Sequence, residues 1–123
     1  MSKKILIIED DKVTLTMLET ILRKAQFQVF SAQNGEDGLS AAQREKPDLV
    51  ITDLLIPKID GIGVCDKIKK NISLQQTKVI IISAIQNMAI QREVKSCGAD
   101  AFIEKPIVTP TLLTAIHKLL KPE

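Results

Sequence analysis

"KILIIEDDKV", Lys4 to Val13, runs four aliphatic residues straight into three consecutive carboxylates, Glu9, Asp10 and Asp11. The apolar part, Ile5 to Ile8, is continuous rather than alternating, which is the habit of a strand covered on both faces in a parallel sheet. Three like charges at its end are more than a turn requires, so they call for a function. Further along the chain the aliphatic pattern recurs at Val29 to Phe30 with their neighbours, Leu49 to Ile51, Val79 to Ile82 and Phe102 to Ile103.

Helical patterns fill the gaps. Leu15, Leu18 and Leu22, with Met17 and Ile21 beside them, recur at three- and four-residue spacing and predict a helix of about 12 residues, which Asp10 or Asp11 can cap. A second helix fits Glu36 to Glu45 and ends at Lys46-Pro47, because the residue before a proline avoids the helical region. A third runs from about Gly63 to Lys70 and a fourth from near Asn87 to Ser96, closed by Gly98. The fifth starts around Pro110 and carries Leu112, Leu113, Ile116, Leu119 and Leu120. Five strand-helix units predict an α/β fold, a doubly wound five-stranded parallel sheet with helices on both faces.

Composition narrows the class. The 123 residues suit one domain, 1–123, with a core over about 4–120 and neither linker nor repeat inside it. A hydrophobic fraction of 45%, a charged fraction of 26% and a net charge of +2 fit a globular protein without direct nucleic-acid or membrane partners. No apolar stretch approaches a membrane span and no signal-peptide core follows Met1, so a cytoplasmic location is expected. Cys65 and Cys97 lack CxxC spacing and a nearby histidine, and read as free buried thiols. His117, without a second histidine or cysteine nearby, reads as a mildly favourable charge near a helix C-terminus.

In open parallel sheets, ligands bind outside the carboxyl ends of the strands. The polar residues expected there are Glu9-Asp10-Asp11, Thr52-Asp53, Ser83-Ala84 and Glu104-Lys105-Pro106. Each has an ordinary explanation alone, as cap, turn former, loop hydroxyl or surface charge. Together on one edge they call for a shared one. Clustered carboxylates stay ionised only when a cation offsets them, and an all-oxygen set with few protein ligands suits Mg²⁺. Lys105 adds positive charge and Ser83 a donor, a combination suited to phosphoryl oxygens. Asp53, set apart from the acid pair, is then the expected nucleophile.

With those residues placed, the chain resembles the receiver domain of two-component response regulators, chemotaxis-type single-domain regulators above all. The segments that carry the likeness, in order, are "ILIIEDD", "NGEDGL", "PDLVITDLLIPKIDG", "VIIISA" and "GADAFIEKP". The resemblance implies a flavodoxin-like strand order 2-1-3-4-5, Asp53 as phosphoryl acceptor, and Mg²⁺ held by Glu9, Asp10, Asp53 and the backbone carbonyl of Leu55. It implies that Lys105 and Ser83 assist, that Ser83 and Phe102 form the switch, and that the Lys105-Pro106 bond is cis. Phe102 stands where many members have tyrosine. Leu55 and Ile85 occupy positions governing water access, so their apolar side chains imply slow loss of the phosphoryl group.

The implied partners are a sensor histidine kinase or histidine phosphotransfer protein, and a downstream protein on the face of the fourth helix, fifth strand and fifth helix. The chain is expected to be a signalling protein catalysing its own phosphorylation and slow dephosphorylation, not an enzyme acting on others. Three other readings are weaker. A Mg²⁺-dependent aspartyl phosphohydrolase commonly has a second acid where Leu55 stands; a flavodoxin-like cofactor binder would not place three acids in its phosphate loop; and a receiver fold kept as a non-phosphorylated scaffold would not need the complete acid, hydroxyl and lysine set.

Overall fold

The computed structural model describes residues 2–121. Strands β1 (Lys4–Ile8), β2 (Gln28–Ala32), β3 (Leu49–Asp53), β4 (Lys78–Ser83) and β5 (Ala101–Glu104) alternate with helices α1 (Lys12–Lys24), α2 (Gly35–Glu45), α3 (Gly61–Lys70), α4 (Met88–Ser96) and α5 (Thr109–Leu119). All strand pairs are parallel and the sheet order is β2-β1-β3-β4-β5, the order the resemblance implies.

The continuous aliphatic runs are explained by two cores, one on each face of the sheet. Leu6, Ile8, Val50, Val79 and Ile81 point to one side and meet Ala41, Ala42, Val64, Ile68 and Val94 from α2, α3 and α4. Their neighbours Ile5, Ile7, Leu49, Ile51, Ile80 and Ile82 point to the other and meet Leu15, Leu18 and Leu22 of α1 with Leu112 and Ile116 of α5. Leu18, Leu22 and Leu112 are completely removed from water, which stabilises the fold by about 1.5–3 kcal/mol each. The edge strands β2 and β5 are the exceptions to the continuous pattern, with Gln28, Ser31 and Glu104 exposed.

Four helices begin on a side-chain cap: Asp11, Asn34, Asp60 and Asn87 each accept the backbone N–H three residues ahead. Asp11 therefore caps α1 and Asp10 does not. The third helix starts at Gly61 rather than at Gly63, because Asp60 stays extended and accepts the Gly63 N–H at 2.8 Å. Gly61 itself is tied back to the Leu54 carbonyl at 2.8 Å. A short 3₁₀ turn, Ile72–Leu74, follows α3 and is not foreshadowed by the hydrophobic pattern. Gly98, at φ 86°, takes the left-handed conformation just past the end of α4. No helix among the described residues is long and apolar enough to cross a membrane.

Candidate functional site

The parallel topology brings the carboxyl ends of β1, β3, β4 and β5 to one edge, and the site is built there. Glu9 follows β1 directly and its N–H continues the ladder to Ala32 at 3.0 Å, which fixes its backbone. Its side chain is fully buried. Asp10 beside it is exposed, and Asp53 closes β3 with 9% of its surface accessible. Glu9, Asp10 and Asp53 can each offer an oxygen such that all three lie within 4.8 Å of one another.

One cation sits among them. Lys105 Nζ donates to Glu9 Oε1 and to Asp53 Oδ2, at 2.9 Å each. Its backbone is set by an N–H bond to the Ser83 carbonyl at 2.9 Å, which extends the β4–β5 ladder by one rung, and the Lys105-Pro106 bond is cis. Burial alone would lower the Lys105 ammonium, but the bonds to Asp53 and Glu9 outweigh it and hold it above the ordinary lysine value. Burial raises the Glu9 carboxyl, opposed by the bond from Lys105 and by the Asp11 N–H at 3.2 Å. Asp11 is not among the converging acids. Bonds from the Thr14 hydroxyl and N–H hold its carboxyl below the usual range.

Ser83 ends β4 and is nearly buried; its Oγ accepts the Ile85 N–H at 2.9 Å. That bond uses an oxygen lone pair and leaves the hydroxyl hydrogen available. Among the described residues Ser83 makes no hydrogen bond to the acids, so the acids and Lys105 are joined directly while Ser83 stands on the neighbouring strand. Phe102, half-buried on β5 opposite Ile81, lines a groove of about 420 Å³ with Gln91, Val94, Lys95 and Ala99, and another of about 460 Å³ with Lys105, Pro106 and Val108.

The loop after Asp53 is held more tightly than its sequence shows. Leu54 N–H bonds the Ile82 carbonyl at 2.9 Å, and Gly35 N–H at the start of α2 bonds the Pro57 carbonyl at 3.1 Å. A Cβ on Gly35 would stand 2.0 Å from the Ile59 carbonyl oxygen, and one on Gly61 2.5 Å from that of Asp53. Both glycines thus permit a backbone approach that any side chain would block. Gly35 was visible in the sequence only as part of "NGEDGL", with nothing to say what it would touch. Leu55, two residues after Asp53, is 61% exposed, and Ile85, two residues after Ser83, is 37% exposed. Away from the site, His117 is exposed and stacks at a tilt on Phe27, with centroids 6.0 Å apart, and both cysteines are free and buried.

The donor set fits a hard divalent ion. Three carboxylate oxygens converge, no imidazole or thiol joins them, and exposed Asp10 leaves a path to solvent. These acids and the lysine stand at the carboxyl edge of a parallel sheet ordered β2-β1-β3-β4-β5. The chain belongs to the response regulator receiver domain family, whose model matches residues 5–117. It is 32% identical over 121 residues to the alkaline phosphatase synthesis transcriptional regulatory protein PhoP of Bacillus subtilis, covering 98% of this chain and 50% of that protein. The chain spans about half the length of the curated relatives it matches first, 48% in one case.

Among solved structures, the receiver domain of a signal transduction histidine kinase from Syntrophus aciditrophicus superposes with a TM-score of 0.91 at 29% identity, covering 99% of this chain and 96% of that one. A CheY-like response regulator receiver domain protein from Methanospirillum hungatei gives 0.90 at 28% identity, covering 97% and 94%. The chain is a receiver domain of the two-component signalling class.

Proposed function

We propose that this receiver accepts a phosphoryl group on Asp53, taken from a phosphohistidine of a sensor kinase or phosphotransfer protein, and converts that event into a change of its partner-binding face. The observation that carries this reading is the single ammonium of Lys105 bound at 2.9 Å to both Glu9 and Asp53. A lysine shared between a buried acid and a more accessible one holds the second carboxylate in place without removing it from reach. Glu9, Asp10, Asp53 and the Leu55 carbonyl would hold Mg²⁺, which, when bound, offsets the charge of the acids and of the incoming phosphoryl oxygens.

An oxygen of Asp53 forms the new bond to phosphorus as the phosphorus–nitrogen bond of the donor breaks and the imidazole departs. Lys105 orients the attacking carboxylate and then exchanges its bond to Asp53 Oδ2 for one to a phosphoryl oxygen. Glu9 keeps the ammonium at this place throughout. The Ser83 hydroxyl, whose hydrogen is available, donates to the same group. As Ser83 is drawn toward the acids, space opens behind it, and Phe102 moves inward from between its two grooves, reshaping the face of α4, β5 and α5. A shift from 1:99 to 99:1 needs about 5.5 kcal/mol of differential stabilisation. Charge-assisted hydrogen bonds of about 1.5–3 kcal/mol each supply much of it.

The test is incubation with acetyl phosphate and Mg²⁺, followed by intact mass measurement. One added phosphoryl group is expected in the wild type and none in Asp53→Asn. Labelling that survives Asp53→Asn removes Asp53 from the role, and labelling unaffected by a chelator removes the metal.

A further inference from the structure

Two thiols that play no part in the acidic site meet between α3 and α4. Cys65 Sγ donates to the backbone carbonyl of Cys97 at 3.4 Å, and Cys97 Sγ donates to the Val94 carbonyl at 3.2 Å. Cys65 lies in the middle of α3 and is completely buried. Cys97, the C-terminal cap of α4, is 7% exposed and forms part of the wall of an open groove of about 590 Å³, together with Ile62, Asp66, Arg92 and Glu93. Cys97 lines this groove and Cys65 does not. Burial first, and then the Cys97 thiol beside it, push the Cys65 thiol upward, so it stays protonated while the fold is intact.

We propose that Cys65 and Cys97 are a redox pair, in which peroxide entering the α3–α4 groove oxidises Cys97 and Cys65 then closes an intramolecular disulfide. In the first step the Cys97 sulfur takes one oxygen of hydrogen peroxide as the O–O bond breaks. Sulfur is oxidised to the sulfenic acid and the other peroxide oxygen leaves as water. In the second step the Cys65 sulfur bonds to the Cys97 sulfur, and the sulfenic oxygen departs as water with the Cys65 proton. Two thiols and one hydrogen peroxide thus give one disulfide and two waters. The Cys65 sulfur already touches the Cys97 backbone, so closure requires the Cys97 side chain to turn from the Val94 carbonyl toward it.

The consequence falls on α4. Val94 is the one buried residue within that helix, and Ile90 packs beside it against the core. A bond from the cap of α4 to α3 pins the end nearest Gly98. The cross-link is independent of the phosphoryl reading; only its restraint of the α4, β5 and α5 face rests on that reading.

The experiment exposes the full chain to hydrogen peroxide at neutral pH, blocks remaining thiols by alkylation, and maps peptides without reduction. The expected product is a monomer lighter by two hydrogen atoms, carrying one peptide that joins Cys65 to Cys97 and reverting with dithiothreitol. In Cys65→Ala, chosen so that no hydroxyl is buried in place of the thiol, Cys97 should stop at a sulfenic acid trapped by dimedone. Three results overturn the proposal: Cys97 oxidised to sulfinic acid while Cys65 remains a free thiol, a dimer joined through Cys97, or no oxidation until denaturant is added. Labelling of Asp53 in the reduced protein is scored separately, so failure of either reading does not disguise failure of the other.

Discussion

Replacing Lys105 by methionine removes the one ammonium bonded to both Glu9 and Asp53 while keeping much of the side chain's length. Lys105 Nζ makes two bonds of 2.9 Å, to a Glu9 side chain with no exposure and an Asp53 side chain with 12%. Without it, Glu9 retains the Asp11 N–H at 3.2 Å and faces two other acids whose oxygens come within 4.8 Å. Two unit charges at that separation repel by about 3.5 kcal/mol at an effective dielectric of about 20. Breaking a buried pair costs about 3–5 kcal/mol. Lys105 is 24% exposed, so water screens part of this, and about 2–3 kcal/mol is expected at neutral pH without divalent ions.

The pH dependence separates this cause from lost packing. The Glu9 carboxyl is already raised by burial, and removing Lys105 raises it further. A carboxyl raised in the folded state favours folding in its protonated form, so the deficit of Lys105→Met should shrink as pH falls through the raised Glu9 value. Urea unfolding of wild type and variant at pH 7.5 and pH 5, without divalent ions, measures it. An equal deficit at both pH values, or none at pH 7.5, would refute the electrostatic account.

Three further outcomes are expected. Because the Lys105 ammonium is held above its ordinary value by Asp53 and Glu9 despite burial, its stabilisation is complete below the unfolded lysine value and is lost as pH rises through the folded one. Thermal unfolding across the alkaline range should show that loss in wild type and not in Lys105→Met. Leu55→Asn puts an amide where a 61% exposed apolar side chain stands two residues after Asp53; one water-binding interaction of about 1 kcal/mol should speed loss of the phosphoryl group roughly 5-fold in a decay assay. Gly38→Ala would place a Cβ 2.4 Å from Ile8 Cδ1, and Ile8 is fully buried. Overpacking of about 1–3 kcal/mol, less about 1 kcal/mol of helix propensity gained, predicts a net loss of up to about 2 kcal/mol by urea unfolding.

The parts of the fold that follow from side-chain type were legible in the sequence. Ile5 to Ile8 and Val79 to Ile82 are apolar on both faces because two cores claim alternate residues, and continuous aliphatic runs are the sign of that. Leu15, Leu18 and Leu22 likewise announce a single buried stripe. Asp53, Ser83 and Lys105 are expected at the carboxyl edge because each stands within two residues of the end of such a run. The structure adds what depends on backbone approach across the chain. The start of α3 at Gly61 is set by the bond from Gly61 to Leu54 and the cap by Asp60, and no hydrophobic period reports either. The sharing of Lys105 between Glu9 and Asp53 joins residues far apart in sequence, and the two glycine approaches to the acid loop involve no side chain at all. The pairing of Cys65 with Cys97 is of the same kind: burial was legible, proximity was not.

The central claim is that Asp53 is the atom-level acceptor, and chemical mapping tests it most directly. After exposure to acetyl phosphate and Mg²⁺, borohydride reduces an aspartyl phosphate to homoserine, and peptide mass spectrometry locates the converted residue. Conversion confined to Asp53 is the predicted result. Homoserine at Asp10 or Asp60, or a phosphoryl group that resists borohydride and remains on Ser83, would contradict it.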